Sequence, residues 1–298
     1  MLQKRLWLAG ALALALVACD DDDDDGGVTP PGNTSVSVLL TSTTGDIVNS
    51  AVTIDQVILQ GTGVERVDLL TAPVTVNLSE LSNATSELVA GAEVANGTYS
   101  DVRLVLSGAF VEIANDDGTS TIFATSADYA GLPAGATVGG TLTLPANSAD
   151  GAVVDLASNL VLEGGTVTVL VDFDLAQSVI DDGAGGFNLT PFLTGGVGTT
   201  AGTVTVTLAL GPDVTLPEGV TLADFTAHLG GKQLDFVDNA GTFTSAFGFV
   251  LPGTYSLTLS GPAGLDITTD PALPLEIVVA DAGQVTQTVT ITAATPAP

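Results

Sequence analysis

Thr166-Val167-Thr168-Val169-Leu170-Val171-Asp172-Phe173-Asp174-Leu175 is the stretch whose reading decides the fold. Val167, Val169, Val171, Phe173 and Leu175 point one way, and Thr166, Thr168, Asp172 and Asp174 point the other. This period of two is what a sheet with one buried face requires. Outward from it, the alternation recurs in Val102-Leu104-Leu106 against Asp101-Arg103-Ser107 and in Leu142-Leu144. It recurs again in Val204-Val206-Leu208-Leu210 against Thr203-Thr205-Thr207, and in Tyr255-Leu257-Leu259 against Ser256-Thr258-Ser260. Half-buried antiparallel strands are the expectation. Asn96-Gly97, Asp116-Asp117-Gly118, Asp182-Gly183, Gly230-Gly231 and Asn239-Ala240-Gly241 are turn signals between such runs. Many short strands with these turns predict an all-β chain of β-sandwiches.

One segment breaks the period. Leu78, Leu81, Thr85 and Leu88 fall at helical spacing, and Asn77 followed by Glu80 has the form of a capping box. A single short helix is predicted near residues 78–89, over a sandwich edge.

The chain is long enough for two domains. Gly195-Gly196-Val197-Gly198-Thr199-Thr200-Ala201-Gly202 is small and lies between two alternating runs, so it is read as a flexible boundary. The expected modules are 34–197 and 203–294, with 198–202 as linker. Gly196 to Ala201 also spells a literal G-x-G-x-x-A, but a Thr/Val strand follows where the dinucleotide fingerprint needs a helix.

At the amino end, Lys4 and Arg5 precede an unbroken apolar or small run from Leu6 to Val17. Residues 1–18 therefore read as a secretory leader, too short for a membrane span. Leu16-Val17-Ala18-Cys19 resembles the lipobox of bacterial lipoproteins, which implies cleavage before Cys19 and a diacylglyceryl group on its sulfur. The alternative is an ordinary leader ending beside a cysteine. Cys19 is the sole cysteine in the sequence, so it has no intramolecular disulfide partner, and a lipid explains it. Asp20 to Asp25 and the Gly/Pro-rich residues up to Asn33 form an acidic tether, 19–33, without apolar period. Removing the leader leaves Arg66, Arg103 and Lys232 against 34 acids, a net charge of −31. Nucleic acid and anionic lipid headgroups are poor partners for such a surface, and no nucleic-acid partner is expected. The expected membrane contact is the lipid on Cys19.

Residues 34 to about 197 resemble a family of bacterial lipoprotein domains, domain of unknown function 4382. The resemblance is carried by Val52-Thr53-Ile54-Asp55-Gln56-Val57, Val76-Asn77-Leu78, Gly97-Thr98-Tyr99-Ser100-Asp101-Val102-Arg103-Leu104, Val171-Asp172-Phe173-Asp174 and Asn188-Leu189-Thr190-Pro191. Leu132 to Leu162 departs from the pattern through extra residues. The resemblance implies no activity. Thr203 to Thr292 resembles the prealbumin-like sandwiches of carboxypeptidase-regulatory type, through Phe249-Val250-Leu251-Pro252-Gly253-Thr254-Tyr255-Ser256-Leu257 and Gln284-Val285-Thr286-Gln287-Thr288-Val289. That family's opening turn is missing, and an immunoglobulin-like sandwich stays open. Gly-Thr-Tyr-Ser occurs twice, at Gly97 to Ser100 and Gly253 to Ser256. A shared Tyr-bearing corner or an old duplication would each explain it.

Catalytic chemistry finds little to use. The sole histidine, His228, lies in a strand-like run with no G-x-S-x-G in the chain. A lipidated Cys19 leaves no thiol nucleophile, and zinc sites built on His and Cys are excluded by count. Lys232, after Gly230-Gly231, lacks P-loop spacing and reads as part of a hairpin turn. Calcium is the cofactor weighed, on Asp181-Asp182-Gly183-Ala184-Gly185-Gly186 and Asp116-Asp117-Gly118, but neither has EF-hand spacing and both read as hairpin turns. No catalytic residue, metal ligand or cofactor is assigned. The expected function is a non-enzymatic cell-envelope lipoprotein, periplasmic or at the cell surface, with a binding or structural role toward a protein or glycan partner. A calcium-assisted carbohydrate-binding or adhesive module is the first alternative, for which loop aromatics such as Tyr129 would speak. A carboxylate-only hydrolase is the second.

Overall fold

The alternating stretch around Val169 is a strand at the centre of the first of two lobes. The computed structural model describes residues 32–45, 47–115, 117–145 and 150–296. The leader, Cys19 and the Asp20 to Asp25 run lie outside the described residues. Among the described residues the first lobe has strands β1 (Asn33–Thr43), β2 (Ile47–Gln60), β3 (Val67–Asp68), β4 (Val74–Asn77), β5 (Ser86–Ala95) and β6 (Gly97–Tyr99). They are followed by β7 (Asp101–Ala114), β8 (Ser120–Ala124), β9 (Val138–Thr143), β10 (Ala152–Leu156) and β11 (Leu160–Leu162). The lobe closes with β12 (Gly165–Asp174), the four-residue helix α1 (Leu175–Ser178), β13 (Val179–Asp181), β14 (Phe187–Leu189) and β15 (Phe192–Val197). The second lobe contains β16 (Gly202–Leu210), β17 (Thr226–Leu229), β18 (Lys232–Asp235), β19 (Val237–Asn239) and β20 (Thr242–Val250). After these come β21 (Gly253–Ser260), β22 (Leu265–Asp270), β23 (Leu275–Val279) and β24 (Gln284–Pro296).

On β12, Val169, Val171 and Phe173 are fully buried in the core, while Thr166, Thr168 and Asp172 occupy the other face, as the alternation predicts. The first lobe is built on a 13-stranded sheet in the order β13-β14-β9-β8-β7-β10-β15-β12-β1-β5, with β2 pairing along β7 and carrying β3 and β4. Val76 of β4, Leu88 and Val94 of β5 and the inward residues of β12 share one core. The sheet therefore folds over so that its two halves pack face to face. The second lobe is a sandwich of β19-β20-β16-β24-β22 on β18-β17-β21-β23. Its own core is built on Val204, Val206, Phe225, Phe247, Leu257 and Val289.

The two lobes share a topology. β1 lies between antiparallel β5 and parallel β12, and β16 lies between antiparallel β20 and parallel β24. β5 and β20 each lead into the Gly-Thr-Tyr-Ser strand. Tyr99 Oη donates to the Ala95 carbonyl at 2.9 Å and Tyr255 Oη to the Leu251 carbonyl at 2.7 Å, in both cases four residues back. One tyrosine corner at one topological position in each lobe supports duplication over two unrelated corners.

Two sequence expectations are corrected. The helix near 78–89 is a three-residue 3-10 turn, Ser79–Leu81, and β5 begins at Ser86. Leu78 and Leu81 are buried as predicted, but Leu88 belongs to a strand, so its helical spacing is coincidental. Asn77 acts on the turn through an Asx contact, accepting from Ser79 N at 3.0 Å and donating to Glu80 at 3.0 Å. The strands are also not uniformly antiparallel. β1 and β12, β10 and β15, β8 and β9, β9 and β14, and β16 and β24 pair in parallel. Alternation reports which face is buried and is silent about the neighbour's direction.

The boundary expected over 195–202 carries secondary structure. Gly195 to Val197 belong to β15, Gly198–Thr200 is a 3-10 turn, and Gly202 starts β16. Thr200 O accepts from Ala282 N at 2.7 Å and Thr203 N donates to Gly283 O at 2.9 Å. Both lobes lie in one compact unit, Pro31–Pro298.

Candidate site between the lobes

The turn that the sequence places at Gly230-Gly231 joins β17 to β18, with Leu229 opposite Lys232. Both glycines have positive φ, +55° and +91°, as a two-residue hairpin turn demands. A Cβ on Gly231 would stand 2.7 Å from the Thr43 side chain of the first lobe. Glycine is thus required here for conformation and for close approach. The tip of this hairpin is pressed against the end of β1.

The contact carries Lys232 into the first lobe. Its Nζ lies 3.5 Å from Asp172 Oδ2, 3.4 Å from Thr41 Oγ1 and 3.2 Å from the Ser42 carbonyl. Burial pushes the amine below its ordinary value, while the Asp172 charge pulls the other way. Thr43 Oγ1 lies 3.3 and 3.1 Å from the two Asp172 oxygens. Two further bonds fix the docking. Gln233 Nε2 donates to Gly45 O at 2.5 Å, and Asn83 bridges β20, donating to Ala246 O at 2.9 Å and accepting from Gly248 N at 2.5 Å.

Beside Lys232 the lobes leave a cleft of about 410 Å³, lined by Asp155, Asp172, Asp174, Phe192, Tyr255 and Asp281 among others. Asp174 caps α1, accepting from Gln177 N at 3.0 Å and from Gln177 Nε2 at 2.7 Å. Burial, with the nearby Asp172 charge adding to it, pushes the Tyr255 hydroxyl up to about 12, and its proton is engaged with Leu251 O. The cleft thus brings carboxylates, an amine and a phenol together, with Asp172, Asp174 and Tyr255 each hydrogen-bonded within the protein. The sequence reading missed this site, because burial of Lys232 leaves no local signal beyond a lysine next to Gly-Gly.

The residues singled out from sequence lie elsewhere. His228 is on β17, its Nε2 2.7 Å from Ser260 Oγ on an exposed face. Tyr129 does not project from its loop. Its ring covers Gly108, where a Cβ would come within 2.6 Å of it, packs on Phe110 at 6.4 Å, and its hydroxyl bonds Thr53 at 2.9 Å. Asp181 and Asp182 serve their own hairpin. Asp181 accepts from Gly183 N at 2.6 Å, and Asp182 accepts from Ala184 N at 2.7 Å and Gly186 N at 2.9 Å. In the other acidic loop Asp117 accepts from Thr119 N at 2.9 Å, and Asp116 lies outside the described residues. Among the described residues no three His, Cys, Asp or Glu side chains converge as a metal site.

The turn bonds hold Asp182 below its ordinary carboxylate value, the Ala184 N–H contributing most. A depressed folded-state pKa stabilises above the unfolded value and is lost as pH falls through the folded one. We therefore expect the β13–β14 hairpin to loosen only in acid below the ordinary Asp range. A carboxyl NMR titration checks this: the Asp182 midpoint should lie under that of a denatured control, and Asp182→Asn should leave no calcium-specific change in melting. A saturable, calcium-specific rise in melting temperature that this substitution abolishes would overturn the assignment to a turn.

Residues 33–191 match the family described as Domain of unknown function (DUF4382). The chain belongs to the DUF4382 family. The match takes in β1 to β14 and ends one residue before β15, so Asp172 and Asp174 come from the DUF4382 part, while Lys232 and Tyr255 come from beyond it. No curated protein matches the chain. Among solved structures it is similar to the minor pilin of Streptococcus agalactiae, at 10% identity and TM-score 0.24, covering 89% of this chain and 98% of that one. It is also similar to the TIE protein of Bacillus anthracis, at 11% identity and TM-score 0.20, covering 88% of this chain. The chain spans about a third, 34%, of that protein's length. Among the described residues no helix is long and apolar enough to cross a membrane, which leaves β-barrels unaddressed.

Proposed function

We propose that this DUF4382 chain is a non-enzymatic, lipid-anchored lipoprotein of the bacterial cell envelope with a binding or structural role. The observation that carries the non-enzymatic part is the commitment of reactive side chains to the fold. Asp172 faces Lys232, Asp174 caps α1, Tyr255 closes its corner and His228 meets Ser260. A carboxylate-only hydrolase needs two carboxylates free for acid and base roles, and Asp172 and Asp174, two of the four that line the cleft, have other duties. A calcium-assisted glycan binder needs an exposed ring and open aspartates, whereas Tyr129 is tucked over Gly108 and Asp181 and Asp182 serve a turn.

The anchor rests on Leu16-Val17-Ala18-Cys19 behind a charged, apolar leader. Two or three acyl chains hold a protein stably at a membrane, since one alone binds marginally. The partner met at the membrane would be a protein or glycan. The second lobe is read as prealbumin-like, of carboxypeptidase-regulatory type, a reading supported by its two-sheet sandwich and the corner at Tyr255.

Cys19→Ala tests the anchor. Cells fed labelled palmitate should label the wild-type chain and not the variant, and the variant should move from the membrane to the soluble fraction. Incorporation that survives the substitution would sink the reading.

A further inference from the structure

Lys232 is the one lysine after Lys4, and its amine is sealed against a carboxyl group of the other lobe. Side-chain exposure is 4% for Lys232 and 16% for Asp172, with 3.5 Å between Nζ and Oδ2. Charge-assisted bonds close to about 2.7–2.9 Å, and the amine's other partners, Thr41 Oγ1 and the Ser42 carbonyl, are also longer than that. Two buried charges held so loosely recover little of the cost of leaving water. A neutral covalent link between them would remove that cost.

We propose that Lys232 and Asp172 condense into an isopeptide bond that ties the β17–β18 hairpin to β12. One proton passing from ammonium to carboxylate converts the ion pair into amine and acid, so no proton is gained or lost overall. Burial favours the neutral amine, in line with the lowered pKa of Lys232. The nitrogen attacks Asp172 Cγ, the C–N bond forms, the C–OH bond breaks, and the hydroxyl leaves with one amine proton as water. Neither oxidant nor cofactor is needed.

The surroundings suit each step. Thr43 Oγ1 lies within reach of both Asp172 oxygens and can donate to the oxyanion that develops. Asp174, two residues along β12 and hence on the same face, lines the same cleft. Holding the two groups in place replaces a collision with an intramolecular step, for which effective molarities reach about 10⁵–10⁸ M. The bond therefore forms after the lobes dock and not in the unfolded chain.

Trypsin provides the test, because it does not cut after an acylated lysine. The wild-type chain, extracted in detergent and denatured in urea, should yield one fragment spanning 104–298, lighter than its sequence by one water. Asp172→Ala should restore cleavage and release 233–298 separately. Digestion is done on denatured chains, so a folding defect in the variant does not blur the result. If the wild-type chain releases 233–298 in full, or if an amine reagent labels its Lys232 in urea, the proposal is overturned.

Discussion

Lys232→Glu is expected to uncouple the lobes, so that calorimetry shows one transition for the wild-type chain and two for the variant. The substitution places a third carboxylate against Asp172 and Asp174 in a seat that leaves Lys232 3% exposed. Like charges in a partly dry site repel strongly. Removing one partner of a buried pair typically costs about 3–5 kcal/mol, and the partial exposure of Asp172 argues for the lower end. That corresponds to roughly 6–12 °C in the midpoint of the first lobe, or roughly 12–24 °C in that of the smaller second lobe, whichever depends more on the contact. Gln233 to Gly45 and Asn83 to β20 remain, so the lobes should stay near each other in the cold and part on heating. Loss of an isopeptide bond in the same variant would add to the effect. A single transition at an unchanged midpoint would show that the seat of Lys232 does not couple the lobes.

How much of this was legible in the sequence depends on the range of the interaction. Alternation reports burial, and it located β12, β7, β16 and β21 with their inward residues except Leu210, which ends β16 exposed, because side-chain direction along a strand is a local property. Turn chemistry is local too, so Gly230-Gly231 and Asn239-Ala240-Gly241 sit between strands as read, with φ of +55° at Ala240 and +90° at Gly241. The twin Gly-Thr-Tyr-Ser motifs led to the tyrosine corners for the same reason, each bond spanning four residues. Strand neighbours are another matter. The pairing of β1 with β12 joins Val36 to Val167, and nothing within either strand states that distance or its parallel sense. The helical reading of Leu78 to Leu88 failed because three leucines satisfy a period of 3.6 by chance when a 3-10 turn is followed closely by a strand.

The site between the lobes was the least legible part. Asp172 and Asp174 occupy the polar face of the stretch that decides the fold, and from sequence that face was solvent. Lys232 looked like an ordinary hairpin lysine. Only docking of the second lobe turns the polar side of β12 into an interior, and docking depends on the whole surface of both lobes. Tyr129 illustrates the converse, a loop aromatic that looked available for ligands until Gly108 offered it a flat seat.

Phe173→Ala is expected to have the other large effect, and it tests whether the two cores act as one. Phe173 is fully buried in the first core and is flanked along β12 by the two aspartates of the cleft. Truncating a buried phenylalanine removes its burial energy and leaves a cavity, at a typical cost of about 3–5 kcal/mol. The midpoint should fall by roughly 6–20 °C. Phe247 is the equally buried counterpart in the second core, and Phe247→Ala carries a similar cost. If the docked lobes unfold together, each substitution should lower the same single transition, although the two cores share no residue. In the Lys232→Glu background the outcome should change: Phe173→Ala lowers only the transition of the first lobe, and Phe247→Ala only that of the second. The sites are far enough apart in sequence and core membership for their effects to add when each lobe melts alone, so any coupling lost in that background measures the contact. Two separate transitions in the wild-type chain, with Phe173→Ala moving one and sparing the other, would return the molecule to a pair of independent modules on a hinge.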